Sequence, residues 1–234
     1  MKRFYKAVSV HRAAAGGWQV TLDGRGVKSV GGSPQEVQSE ALARTLAQEW
    51  EAQGEALDPA SFVARAMVDY AIDVIAANPA AIADKLLTYG DTDTLLYRAD
   101  PEDALYVRQL EIWEPIVTAF EQREGIALSR VSGIVHRVQS DAALAHLRAR
   151  LCAQGPIALA GIEAMTTLSA SLMIGLSASA ADSEVEALAL WQAACLEEEW
   201  QADLWGRDEE AEERRAKRQA DFLKAREITR LALG

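Results

Sequence analysis

The hydrophobic period of this chain changes once, near residue 32, and that change limits the folds open to it. Trp18, Val20 and Leu22 alternate with Gln19, Thr21 and Asp23, the period of a half-buried strand. Asp23-Gly24-Arg25-Gly26 follows with hairpin-turn chemistry, so Val27 to Val30 is expected to return as a partner strand. Phe4 to Val10 supplies a third strand. Three strands need a cover, so this sheet must pack on something further along the chain.

Beyond residue 32 the apolar residues recur at threes and fours. Ser33-Pro34-Gln35-Glu36 reads as a capping box with proline at the first helical position. The helix it opens runs toward Gly54 and carries Leu42, Leu46 and Trp50 on one stripe, which makes Trp50 a core residue. Asp58-Pro59 opens a second helix that ends before Asn78-Pro79. Further helices are expected over 80–88, 101–123, 140–153, 157–178, 182–205 and 208–232, with a turn-rich connection from Tyr89 to Arg98. Ile126 to Val138 alternates weakly and has two readings: irregular chain, or one more strand beside the first sheet. The fold class is therefore α+β. A small antiparallel β-rich N-terminal domain, residues 1–32, precedes a mostly helical domain, residues 33–234.

A formal net charge of −11 and a pI near 4.8 argue against nucleic acid, which needs clustered Lys and Arg. They argue equally against an anionic membrane surface. The start, MKRFYKAVSV, lacks the apolar core of a secretory signal and the Arg- and Ser-rich character of a transit peptide, so a cytoplasmic setting is expected. The apolar run 157–179 has Glu163 near its front half and many Ser, Thr and Gly, so it reads as a buried helix rather than a membrane span. Cys152 and Cys195 have no CxxC spacing and read as reduced thiols.

Catalytic motifs are weak. Asp91-Thr92-Asp93-Thr94 resembles a phosphatase nucleophile loop, but Leu95 stands where Thr or Val is required and no parallel α/β pattern surrounds it. His11, His136 and His146 form no ligand pair, and no GxSxG elbow or phosphate loop is present. Neither a metal nor a cofactor is expected. The stretch that no catalytic spacing explains is Leu196 to Arg215, LEEEWQADLWGRDEEAEERR. With 182–205 as one continuous helix, Glu199 falls near the middle of the apolar arc, Glu197 on the opposite side and Glu198 at the arc's edge. A carboxylate there needs a partner, either an internal cation such as Arg207 or a group on another molecule. Glu197, Glu198, Glu199, Trp200 and Trp205 are the candidate partner-binding residues. An enzyme using Glu199 as a cleft carboxylate, and a regulatory module with an unrelated partner, are the alternatives.

Several elements, in order along nearly the whole chain, resemble the assembly chaperones of the ATP synthase α subunit, the Atp-twelve-type family. They are Arg3-Phe4-Tyr5-Lys6, Gly17-Trp18 with Leu22-Asp23-Gly24-Arg25, and Glu49-Trp50 with Gln53. Thr92-Asp93-Thr94 with Tyr97-Arg98, Gln109 with Trp113-Glu114-Pro115, and Gly161-Ile162-Glu163 follow. Leu196-Glu197-Glu198-Glu199-Trp200-Gln201 and Trp205-Gly206 close the set, while Ser29-Val30 departs from a Thr-Pro-like end to the hairpin. The resemblance implies a helical part arranged as an orthogonal bundle, no enzyme activity and no nucleotide. It implies binding of the unassembled α subunit of F-type ATP synthase, with the important carboxylate in the Glu197 to Glu199 segment. A bacterial monomer with no membrane insertion is expected, its eukaryotic relatives being mitochondrial.

Overall fold

The structure is a computed structural model that describes residues 1–14, 16–133 and 137–233. His136, and with it part of the 126–138 stretch, lies outside the described residues. The chain forms two compact units. The first comprises Met1–Pro79 with Gly155–Gly161 and the chain end from Glu227; the second comprises Ala80–Gln154 and Ile162–Arg226.

In the first unit, β1 (Val8–Arg12) runs antiparallel to β2 (Trp18–Leu22), with Val10 opposite Val20. The other side of β2 is shared by β3 (Arg25–Gly26) at its Leu22 end and β4 (Glu36–Val37) at its Trp18 end. Asp23 (φ 49°) and Gly24 (φ 79°) make the expected turn, in the left-handed region that the twist of a tight hairpin demands. The Asp23 carboxylate accepts the Ala7 and Lys6 amide hydrogens, and these backbone donors hold it below the usual carboxylate range.

The capping box at Ser33 does not open a helix. Residues 33–37 instead turn back beside the hairpin and complete the sheet: Lys28 bridges Pro34, and the Gln35 amide donates to the Val27 carbonyl. Burial decides the outcome. Val37 and Gln35 are each 1% exposed, and the Gln35 side chain donates to Asp69 at 2.5 Å. The first helix, α1 (Glu40–Glu51), starts after Ser39, whose hydroxyl caps the Leu42 amide. α2 (Val63–Asp73) follows a short 3-10 turn at Pro59–Ser61. Because Val20, Leu22, Leu42, Leu46, Trp50, Phe62 and Val68 share one core, the first unit continues well past residue 32, where the sequence reading ended it. Ile228 from the end of the chain is buried in the same core.

Trp50 is the hub of that core. The Tyr5 ring meets it edge-on at 5.4 Å and the Phe62 ring at 4.6 Å, while the Arg65 guanidinium lies 4.8 Å from its ring. The Tyr5 hydroxyl donates to the Trp50 carbonyl at 2.6 Å. Next to it, Glu49 accepts the Ala64 and Arg65 amides and so caps α2, and Gln53 accepts the Asp58 amide.

The second unit is helical apart from β5 (Tyr97–Arg98) and β6 (Val131–Ser132), which pair in parallel. The strand in the 126–138 stretch therefore joins β5 and not the first sheet. The helices are α3 (Pro79–Asp91), α4 (Ala104–Glu124), α5 (Asp141–Cys152), α6 (Pro156–Ser169), α7 (Leu172–Ala180), α8 (Glu184–Ala194), α9 (Leu196–Trp205) and α10 (Glu209–Leu233). The first residues of α6 and the last of α10 belong to the first unit.

The stretch expected as one helix over 157–178 is two. Ala170 adopts φ 50°, and Ser171 caps α7 by accepting the Ile174 amide. The break is held by the 92–94 motif: Asp93 accepts the Leu95 and Met173 amides, and the Thr94 hydroxyl donates to the Ala170 carbonyl. Gly175 then crosses α6 so closely that a Cβ would stand 3.1 Å from the Thr166 amide nitrogen and 3.2 Å from the Ile162 carbonyl oxygen. Among the described residues no single helix is long and apolar enough to cross a membrane.

Two outcomes are expected of these elements. Trp50→Ala should destabilise the fold by about 3–5 kcal/mol, as truncation of a fully buried tryptophan does, measured by denaturant or thermal melting. An unchanged melt would contradict its place in the core. Asp93 is fully buried, and desolvation pushes its carboxyl from 3.8 to about 6 against the pull of its amide donors. Between those values the folded chain binds more protons than the unfolded one, so the Asp93 contribution to stability falls as pH rises through that window. Asp93→Asn should remove this part of the dependence of Tm on pH. Parallel curves for the two proteins would show that Asp93 titrates normally.

Candidate functional site

The Leu196 to Arg215 stretch folds as the end of one helix, a reversal and the start of another. α8 stops at Ala194, where Trp113 of α4, itself fully buried, donates its indole N–H to the Ala193 carbonyl at 2.7 Å. Cys195 (φ −85°, ψ 4°) sits between α8 and α9. α9 ends at Gly206, whose φ of 99° suits a residue without a side chain, and α10 begins at Glu209. The expected continuous helix over 182–205 is thus broken, and the wheel positions read across it are displaced.

The displacement changes the roles of the three glutamates. Glu197, expected on the side away from the apolar arc, is half-buried and accepts from the Gln109 side chain at 2.7 Å. Desolvation raises its pKa, partly offset by that hydrogen bond, and Gln109 is its one partner among the described contacts. Gln109 is fully buried, and its amide nitrogen, amide oxygen and carbonyl each have a partner. Its Oε1 accepts the Ala99 amide, and its carbonyl accepts from the Arg98 guanidinium.

Glu199, expected at the middle of the arc, faces the reversal instead. Its side chain is 36% exposed and pairs with Arg207 at 3.0 Å and with Arg215 at 2.8 Å. Arg207 also holds Asp203 at 2.8 Å and Glu212 at 3.3 Å. The Arg207 pKa is raised, with Asp203 and Glu199 as its main causes. Glu198 is exposed and pairs with Arg218, and with Arg215 at 3.6 Å. Arg215, only 10% exposed, is shared among Glu198, Glu199 and Glu212. Of the two alternatives for Glu199, an internal cation or a group on another molecule, the internal cation is present twice over. Sequence reading named Arg207 and missed Arg215 and Arg218. Their signal is their i, i+3 spacing on the return helix, about as far beyond Gly206 as Glu198 and Glu199 lie before it.

The tryptophans divide in two. Trp191 is buried against Phe222, with ring centroids 5.2 Å apart. Trp200 is half-buried. Leu204 and Trp205 are 63% and 86% exposed, an apolar tip at the end of an acidic helix. The Trp205 indole is thus left in water at a helix end, beside a cluster of ion pairs, and is not a core element.

Beside this reversal lies an open cleft of about 500 Å³ whose lining includes Trp191, Cys195, Leu196, Glu199 and Arg215. It contains a carboxylate but no histidine, and both Glu199 oxygens lie against arginines. Burial pushes the Cys195 thiol up to about 11, which leaves it protonated at neutral pH. Among the described residues no group of three His, Cys, Asp or Glu side chains has the arrangement of a metal site.

The fold is that of a chaperone family. Residues 2–121 match the family described as ATP12 chaperone protein, and the chain is a member of that family. The class of function is thus a chaperone role in ATP synthase assembly, the one that the ordered motifs implied. The structure of Atp12 from Paracoccus denitrificans is 34% identical, with a TM-score of 0.90 over 99% of this chain and 98% of that one. A mutant of the same P. denitrificans Atp12p matches at 34% identity and a TM-score of 0.91, covering 99% of this chain and 97% of that one. The Atu1473 protein from Agrobacterium tumefaciens matches at 35% identity and 0.91, covering 100% of this chain and 86% of its own.

The environment of Glu197 makes a testable statement. Its pKa is raised, so the ionised form weakens the fold as pH climbs above the ordinary glutamate value. Glu197→Gln keeps an acceptor for Gln109 and removes the desolvated charge. At pH 7 the variant should melt no lower than the parent, and any advantage should vanish near pH 4. A lower melt at pH 7 would mean that the charge has a stabilising partner.

Proposed function

We propose that the chain binds the unassembled α subunit of F-type ATP synthase and holds it until it meets its β neighbour. An orphan α subunit carries apolar surface meant for that neighbour and aggregates if left alone. A protein that covers the surface acts by mass action and needs no nucleotide, metal or catalytic step. It works as a monomer in the bacterial cytoplasm. The observation that carries the reading is α9: an exposed Leu204–Trp205 tip on a helix whose carboxylates are held in fixed positions. Glu197, Glu198, Glu199, Trp200 and Trp205 are the proposed contact residues.

Within that set the three glutamates divide the work. Glu198 and Glu199 are tied to Arg218, Arg207 and Arg215 and shape the surface. Glu197 is held by a neutral amide alone, so a cation or N–H donor on the client can complete its hydrogen bonding. The alternative of an enzyme using Glu199 finds little support, since that carboxylate is spent on two guanidinium groups.

The test is capture of purified free α subunit and suppression of its aggregation, without added nucleotide. Co-purification with intact ATP synthase but not with free α subunit would overturn the proposal. Trp205→Ser, at a solvent-exposed position, should shift stability by no more than about 0.5 kcal/mol. The same change should lower suppression several-fold. A variant that melts and suppresses like the parent would remove Trp205 from the contact surface.

A further inference from the structure

The first unit carries a second surface that the α9 reading does not use. An open cleft of about 560 Å³ is walled by Tyr5, Leu22, Val27 and Trp50 and rimmed by Phe4, Arg25, Lys28 and Arg65. Phe4 is 62% exposed although it stands beside the buried Tyr5, its ring 5.3 Å from the tyrosine ring. The charges here run against those of the whole chain. In a protein of net charge −11, three cations line one cleft, and its one carboxylate, Asp23, is occupied by the Lys6 and Ala7 amides.

Other carboxylates near these residues are likewise engaged. Glu49 accepts the Ala64 and Arg65 amides, and Asp69 accepts from Gln35 and lies 3.5 Å from Arg65. Arg65 is pinned over the Trp50 and Phe62 rings, whereas Arg25 and Lys28 are exposed and make no ion pair among the described residues. Asp23 also feels the Arg25 charge, so the lining offers apolar rings and an excess of positive charge, three cations to one carboxylate.

We infer that this cleft binds an acidic, aromatic- or aliphatic-rich segment of a partner protein. A carboxylate of the segment meets Arg25 and Lys28, and the neighbouring apolar side chain lies on Phe4, Tyr5 and Trp50. A pocket made for a small molecule encloses most of its ligand. This one is open, with its most apolar rim residue in solvent, which suits a side chain delivered by a larger surface. The site stands whether or not the client of α9 is the ATP synthase α subunit, because the test uses a peptide and not that protein.

The probe is a short fluorescein-labelled peptide alternating Glu with Phe and Val, compared with a counterpart carrying Lys for Glu. Anisotropy should show saturable binding of the acidic peptide, weakening as salt rises, and none of the basic one. The assigned Trp50 indole N–H resonance should shift on titration with the acidic peptide. Arg25→Glu combined with Lys28→Glu should melt like the parent and bind about tenfold more weakly or worse, as the loss of paired charges at an interface does. Equal binding of the basic peptide, undiminished binding by the double variant, or an unmoved Trp50 resonance would each overturn the inference. So would sodium acetate reproducing the Trp50 shift at the same concentration, which would mark a site for small anions only.

Discussion

The hydrogen bond from the Trp113 indole to the Ala193 carbonyl fixes where α8 ends, and the geometry of the candidate surface follows from it. A helix that continued would carry α9 along the same axis. With that carbonyl shared between the Trp113 indole and the Cys195 amide, the helix breaks at Cys195 and α9 sets out anew. Neighbouring contacts reinforce the bend. Gln109, one turn earlier on α4 than Trp113, ties down Glu197, and Arg98 lies 5.4 Å from the Trp113 ring while pairing with Glu114 at 3.0 Å. A buried indole N–H or amide without a partner would cost about 1–3 kcal/mol, so each of these contacts specifies the bend as well as stabilising it.

Most of the ordered motifs that mark the family are scaffold. Glu49, Gln53 and Asp93 bind backbone amides at helix starts and breaks; Tyr5 and Trp50 build the first core; Glu163 meets Lys85 at 2.8 Å. Glu49, Gln53, Asp93 and Tyr5 are polar groups that bond backbone atoms that would otherwise lack a partner. The α9 tip is different, because nothing inside the chain accounts for Leu204 and Trp205 in solvent.

Elements with a strong local signal could be read from the sequence. The Trp18–Leu22 alternation, the Asp23-Gly24 turn and the Leu42–Leu46–Trp50 stripe correspond to β2, its hairpin and α1. What could not be read were the places where a tertiary contact overrides a local preference. Ser33 to Glu36 has a capping pattern, but the burial of Gln35 and Val37 draws it into the sheet. Residues 157–178 and 182–205 have unbroken helical composition, and their breaks come from Asp93 and Trp113, each far away in sequence. The glutamate assignment failed for the same reason, since a helical wheel has meaning only within one helix. The reversal at the Trp205-Gly206 break was legible; which carboxylate is desolvated was not.

The reversal around Gly206 is held by ion pairs whose members, apart from Arg215, are more than a third exposed. Such pairs weaken as ionic strength shortens the Debye length, to roughly 3 Å at 1 M, whereas the Trp50 and Trp191 cores do not. Raised salt is therefore expected to loosen the α9–α10 corner before it affects the remainder. If the proposed client meets the chain here, ionic strength tunes the outline it meets without drawing on the stability of the cores behind it.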